Sequence, residues 1–143
     1  VNELSLDQQL CFALYKASRA ATAVYRPLLT ELGITYPQYL VMLALWDHDG
    51  RYVSELSDLL ELDSGTLSPL LKRLEAQDLI ERRRSRGDER RVAIHLTPAG
   101  KALRARALPI PRRLTSCTDL SPEAIDDLRS SLDALTAQLN QWT

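Results

Sequence analysis

The stretch from residue 54 to residue 96 leaves few folds open. Ser54 stands at the head of a short segment carrying Leu56, Leu59 and Leu60, and a polar break follows at residues 61–64. Asp63-Ser64-Gly65 is turn chemistry in which Asp63 or Ser64 can cap a second helix. That helix is expected over about residues 64–77, with Leu67, Leu70, Leu71 and Leu74 on its inner face. Two helices joined by so few residues form a helix-turn-helix. Residues 79–84 and 91–96 then read as strands. Val92, Ile94 and Leu96 alternate with Arg91, Ala93 and His95, the period of a half-buried strand, and residues 86–89 form the turn between them.

The flanks read as helices. Ser5 and Gln8 have the spacing of a capping box, and Leu6, Leu10, Leu14, Ala17, Ala21, Val24 and Leu28 recur at helical intervals. Pro27 is expected to kink or break this helix, and Gly33 suits its end. Thr35 and Gln38 form a second box ahead of Tyr39, Met42, Leu43 and Trp46. Residues 47–50 are turn chemistry, and Arg51-Tyr52-Val53 is a candidate short strand. Thr97-Pro98 and Ser121-Pro122 are helix starts, while Pro109 and Pro111 interrupt the helix between them. In the last helix Ile125, Leu128, Leu132, Leu135, Leu139 and Trp142 step by three and four.

The order is therefore mainly α with a small β-hairpin wing, a winged helix-turn-helix framed by extra helices. Residues 35–97 form the expected DNA-binding region, and residues 5–34 and 98–143 the dimerisation helices. The winged core buries only the middle of the chain, so the flanking apolar stripes need another surface. A second copy related by a two-fold axis supplies it. It also sets two reading helices roughly 34 Å apart, one DNA turn, which implies a palindromic double-stranded operator.

The net charge of −1 hides an uneven distribution. Residues 79–96 hold six Arg against three acids, leaving twelve basic and sixteen acidic residues elsewhere. An isolated Arg run is usually a solvated face. This one sits in a hairpin directly after a helix-turn-helix, which favours DNA. Ser64, Thr66 and Ser68 can reach base edges or phosphates, and Lys72 and Arg73 add charge. Arg82, Arg84, Arg86 and Arg90 would occupy the wing, where Arg favours a narrow minor groove. Asp88 is spaced to pair with Arg90 and fix the wing tip. Pro69 lies beyond the first turn of the reading helix and is expected to bend it.

Two cysteines, Cys11 and Cys117, are too few for a secreted disulfide scaffold. The opening residues lack a basic-then-apolar leader, and their lack of an initiator Met points to processing or trimming. The expectation is a cytoplasmic protein with reduced thiols. No cofactor or metal is expected, since His48 and His95 have no Cys or His at ligand spacing and Asp47-His48-Asp49 reads as a solvated turn. Neither a phosphate-cradling Gly loop nor a Ser-His-Asp spacing points to an enzyme.

With these residues in view, the chain resembles the MarR family of transcriptional regulators, and within it the organic hydroperoxide repressors, the OhrR subgroup. The segments that carry the resemblance are Leu10-Cys11-Phe12-Ala13-Leu14-Tyr15, Ile34-Thr35-Tyr36-Pro37-Gln38-Tyr39, the run from Leu62 to Leu74 that includes Pro69, and Asp88-Glu89-Arg90. The wing motif is general to the family, while the cysteine and tyrosine segments are specific to the subgroup. The resemblance implies a redox-sensing repressor in which Cys11 is the peroxidatic residue, with Tyr25 and Tyr36 donating hydrogen bonds to it across a homodimer and Tyr15 nearby. Cys11, Tyr15, Ser18, Thr22 and Tyr25 do fall on one helical stripe. Phenol donors favour thiolate over thiol. Cys117 resembles the resolving thiol of a two-cysteine branch, acting from the other subunit; a small external thiol is the alternative. Two other readings are a MarR-type repressor answering a phenolic or drug-like ligand, and a thiol peroxidase. The latter leaves the helix-turn-helix unexplained.

Overall fold

The computed structural model describes residues 2–85 and 87–143, with the side chains of residues 85 and 88–90 left aside. It divides into two compact units, Val1–Ile110 and Pro111–Thr143.

In the first unit a single 3-10 turn, Leu6–Gln8, precedes helix α1, Leu10–Leu32. The expected Ser5–Gln8 capping box does not form. Instead the Gln9 side-chain amide donates to the carbonyls of Glu3 and Ser5, at 2.8 and 2.9 Å. Nor does Pro27 end α1, which runs through it. A mid-helix proline forfeits one ladder bond and costs about 3 kcal/mol. Here Tyr25, Leu28, Leu29 and Leu32 on either side of Pro27 all join the core, and that burial carries the helix past the lost bond. Gly33 then ends α1 in the left-handed region, φ 75°, where a side chain would be strained.

Helix α2, Tyr36–Asp47, begins with the expected box. Thr35 Oγ1 accepts from the Gln38 backbone at 3.4 Å, and Gln38 Oε1 accepts from the Thr35 backbone at 2.9 Å. It is the core helix, burying Gln38, Tyr39, Val41, Met42, Ala44 and Leu45. Among the described residues no single helix is long and apolar enough to cross a membrane; α1 and α2 pass that test only as a pair bent by 72°.

Strand β1 is the dipeptide Arg51–Tyr52, followed by α3, Val53–Leu60, and α4, Ser64–Ala76. Helix α3 starts one residue before Ser54, the expected cap. Pairing to the sheet keeps Tyr52 extended up to the first helical residue, and the Glu55 carboxylate accepts from its backbone N–H at 3.3 Å. Strands β2, Ile80–Ser85, and β3, Asp88–Leu96, form the hairpin, and β1 adds to β3 to give the antiparallel order β1-β3-β2. The register pairs Ile80 with Leu96, Arg82 with Ile94 and Arg84 with Val92. Asp88 and Glu89 thus belong to β3 rather than to the turn.

Thr97 caps helix α5, Pro98–Ala107, accepting from the Gly100 N–H at 3.0 Å while its hydroxyl donates to the Asp78 carbonyl at 2.6 Å. Gly100 is required by close approach, since a Cβ there would lie 2.1 Å from the Leu79 carbonyl oxygen. The Trp46 indole donates to the Gly100 carbonyl at 2.9 Å. The helix is interrupted at Leu108 and resumes as α6, Pro109–Ser116, which runs through Pro111 and whose Ile110 is buried in the core of the first unit. In the second unit, Ser121 caps α7, Pro122–Asn140, through the Ala124 N–H at 3.1 Å. No residue of α7 is buried, and Leu128, Leu132 and Leu139 are exposed, as is Trp142 just beyond it, at 88%.

Candidate functional site

Helix α4 separates its chemistry by face. Leu67, Leu70, Leu71 and Leu74 are buried, while Ser64, Thr66, Lys72 and Arg73 are exposed and Ser68 is half-buried. Asp63 Oδ1 accepts from the Thr66 N–H at 2.7 Å. That backbone N–H, with the Thr66 hydroxyl second, holds the Asp63 carboxyl below the usual carboxylate range. One of the free N–H groups at the helix start is thereby satisfied, and the Gly65 N–H also bonds that carboxylate. Pro69 lies within α4, exposed, and the helix continues through it.

The wing carries its arginines on two faces. Side chains two apart in a strand point the same way, so Arg82 and Arg84 share the face of Ile80, opposite Ile94 and Val92. Beyond the core that face continues past α4, and Arg82 Nε lies 3.9 Å from the Glu75 carboxylate. Arg83, on the other face, is tied to Glu81. Arg84 is exposed. Arg86 lies outside the described residues, as do the side chains of Asp88 and Arg90 and the pairing expected between them. One feature escaped sequence reasoning: a groove of about 520 Å³ lined by Tyr52, Ser54, Ser57, Ser64, Arg82 and Arg91 joins α3, the start of α4 and the wing. The Arg91 guanidinium lies over the Tyr52 ring, 4.8 Å from its centroid. Arg91 alternates with the core residues of β3, a signal for solvent exposure; the place of Tyr52 beneath it had no local signal.

Cys11 is the second residue of α1 and is exposed; Cys117 follows α6 in the second unit and is also an exposed free thiol. Tyr15 is one turn beyond Cys11 and 58% exposed, with the Arg19 guanidinium 5.5 Å from its ring centroid. Tyr25 and Tyr36 are brought together. Their rings stack with centroids 5.6 Å apart, and Tyr39 closes the cluster at 6.1 and 6.2 Å. Burial first, and then Tyr36, pushes the Tyr25 phenol above its ordinary range, so it remains a neutral donor at neutral pH. Fourteen residues separate Cys11 from Tyr25 on one helix, about 21 Å at 1.5 Å per residue. The thiol and the tyrosine stack of one chain therefore cannot meet.

Beside the stack lies a cavity of about 490 Å³. Thr22, Arg26 and Leu29 of α1 line it, with Ile34, Tyr36 and Pro37 across the corner. Among the described residues, no three His, Cys, Asp or Glu side chains come together to hold a metal ion.

Comparison with known proteins agrees with this architecture. The family described as transcriptional regulator SarA/Rot matches residues 23–106. The organic hydroperoxide resistance transcriptional regulator of Bacillus subtilis (strain 168) is 46% identical over 140 residues, covering 98% of this chain and 95% of that protein. Among solved structures, reduced AbfR bound to DNA superposes with a TM-score of 0.83 at 33% identity, covering 96% of this chain and 94% of that one. Disulfide-formed AbfR gives 0.67 at 36% identity, with 92% of each chain covered; AbfR is a protein of Staphylococcus epidermidis. With a reading helix, a wing and an identity that runs nearly end to end, this chain belongs to the MarR-type winged-helix transcriptional regulators, in the group of the organic hydroperoxide resistance regulators.

Proposed function

We propose that this protein is a DNA-binding repressor that senses organic hydroperoxides through Cys11. The observation that carries the reading is the pairing of an exposed thiol at the start of α1 with a tyrosine stack whose Tyr25 lies about 21 Å further along the same helix. Only a second copy can bring the two together. The exposed Leu10 and Tyr15 of α1, and Leu128, Leu132 and Leu139 of α7, supply apolar surface for that copy. Residues 5–34 and 98–143 then serve dimerisation, and residues 35–97 read the operator.

On DNA, Ser64, Thr66, Ser68, Lys72 and Arg73 present the reading helix to the major groove, and Arg82, Arg84, Arg86 and Arg90 carry the wing, with Asp88 bracing Arg90. In the reduced dimer, phenolic hydrogens of Tyr25 and Tyr36 from the second copy stabilise the Cys11 thiolate, with Tyr15 beside them. The thiolate attacks the terminal oxygen of the hydroperoxide. The O–O bond breaks, the alkoxide leaves and takes a proton as the alcohol, and sulfur becomes a sulfenic acid, oxidised by two electrons. The Cys117 thiol then displaces hydroxide from that sulfur, giving a disulfide and water. A disulfide needs Cα atoms within about 7 Å, so its formation drags elements of both copies and spoils the spacing of the two reading helices. Working in the cytoplasm, where thiols are kept reduced, such a protein acts once per oxidation and needs no cofactor. The likeness to the Bacillus organic hydroperoxide resistance regulator, and to AbfR in its solved reduced and disulfide-formed states, supports the reading.

The test is a gel shift on a palindromic operator with and without cumene hydroperoxide, followed by non-reducing electrophoresis. Wild type is expected to release DNA as a covalent dimer appears, while Cys11→Ser stays bound. Release by Cys11→Ser would overturn the redox reading. The cavity beside Tyr36 favours the second reading, a MarR-type repressor that answers a phenolic or drug-like ligand. In that case Cys11→Ser responds to its inducer as wild type does. Sustained peroxide consumption with a dithiol reductant would instead mark a thiol peroxidase.

A further inference from the structure

The corner between α1 and α2 is hydrogen-bonded to the far end of the reading helix. Gln77 immediately follows α4 as its C-cap residue. Its side-chain amide donates to the carbonyl of Gly33, the residue that ends α1. Its side-chain oxygen accepts from the Gln38 amide at 3.1 Å. Gln38 is 3% exposed, and its own oxygen accepts from the Thr35 N–H at 2.9 Å. These bonds make a continuous amide chain from the Thr35 backbone through Gln38 and Gln77 to Gly33. The chain brackets Tyr36, which lies one residue after Thr35 and stacks on Tyr25 of α1.

We infer that Gln38 and Gln77 are positioning residues that transmit the state of the Tyr25–Tyr36 stack to helix α4. The inference rests on the redox reading of Cys11. Each amide uses its donor and its acceptor at once, so the corner and the helix end share one geometry. A buried amide such as Gln38 cannot drop a partner without leaving an unpaired group, which costs more than the bond itself contributes. When oxidation displaces the phenols from the sulfur, the stack shifts, and the corner carries the C-terminal end of α4 with it. The bound and released states then differ in the tilt of the reading helix as well as in the spacing of the two copies. The leucines of α4 resist deformation of the helix itself, so the shift reaches its N-terminal end as a rigid movement.

The experiment uses the full-length dimer and measures operator affinity before and after cumene hydroperoxide, with free thiols counted in the same samples. Wild type is expected to lose affinity by about 5–150-fold on oxidation, the usual range for coupled sites. Gln77 is exposed, so Gln77→Leu removes both of its bonds without opening a cavity. Gln77→Leu should bind the operator when reduced and lose thiols at the wild-type rate. Its ratio of reduced to oxidised affinity should then fall several-fold below that of wild type, the spacing of the two copies accounting for what remains. A purely structural role would lower Tm and reduced affinity but leave that ratio unchanged. Gln77→Glu, which keeps the acceptor for Gln38 and loses the donor to Gly33, should give an intermediate ratio, and it provides the reading if Gln77→Leu binds poorly. A wild-type ratio in either readable variant overturns the relay. Failure of wild type itself to release DNA overturns the redox reading and the relay with it, which separates the two.

Discussion

The rings of Tyr25 and Tyr36 lie nearly parallel, 12° apart in plane and 5.6 Å between centroids, at the corner where α1 turns into α2. Each ring is held against the other although eleven residues separate them in sequence, and in the proposed sensor the two phenols act as a donor pair. Phenylalanine at either position keeps the stack and removes one hydroxyl. Loss of one hydrogen bond to a charged group costs about 1.5–3 kcal/mol. Tyr25→Phe and Tyr36→Phe should each slow thiol loss at Cys11 by about 10–150-fold at neutral pH, the factor to which that cost corresponds. Thermal stability should change little. Stopped-time thiol titration with cumene hydroperoxide reads the rate, and wild-type rates in both variants would remove the tyrosines from the sensor.

Tyr39 gives the chain an alkaline limit. It is 3% exposed and sits against both stacked rings, and burial first, then Tyr25 and Tyr36, pushes its phenol up to about 12. The unfolded chain ionises near the ordinary value of 10, so above that pH the unfolded state holds fewer protons than the folded one. The stabilisation is complete below about pH 10 and is lost as pH rises towards 12. Melting temperature followed from about pH 8 upward should fall in that window. Tyr39→Phe should flatten the fall, and an unchanged slope in that variant would assign the alkaline loss to other groups.

The junction of β3 with α5 tolerates little. Gly100→Ala places a methyl carbon 2.1 Å from the Leu79 carbonyl oxygen, so backbone must move. Overpacking of this kind costs about 1–3 kcal/mol, occasionally more. Thr97→Val leaves the Gly100 N–H and the Asp78 carbonyl without their partner, and an unpaired buried group costs about 1–3 kcal/mol. Urea midpoints of both variants should fall with the m-value unchanged.

The two faces of the wing predict different salt dependences. Arg84 shares the α4-facing side with Arg82, whereas Arg83 is on the opposite side, tied to Glu81. Arg84→Ala should reduce the slope of log affinity against log salt by about 0.9 for each phosphate that Arg84 neutralises. Arg83→Ala should leave the slope as it is. Operator titrations across a range of potassium chloride concentrations measure both, and the reverse pattern would place the wing on DNA by its other face.

Much of this architecture was legible in the chain because it is made by neighbours in sequence. The caps at Thr35, Thr97 and Ser121 each bond a backbone N–H three residues on. The alternation of Val92, Ile94 and Leu96 and the leucine spacing of α4 are likewise local periods. Local rules failed where distant packing outweighed them. Pro27 read as a kink or a break, and the core packing of Tyr25, Leu28, Leu29 and Leu32 carries α1 through it without a break. Ser54 read as a cap, yet pairing of β1 to β3 put the cap two residues earlier, at Tyr52. The Tyr25–Tyr36 stack, the Arg82–Glu75 approach and the bonding of Gln77 to Gly33 and Gln38 had no sequence period at all. They exist because helix ends and a turn bring residues from separate elements within reach. Spacing along the chain thus decided which elements form and which faces they bury, while the distances among the groups that do the chemistry were decided by how those elements pack.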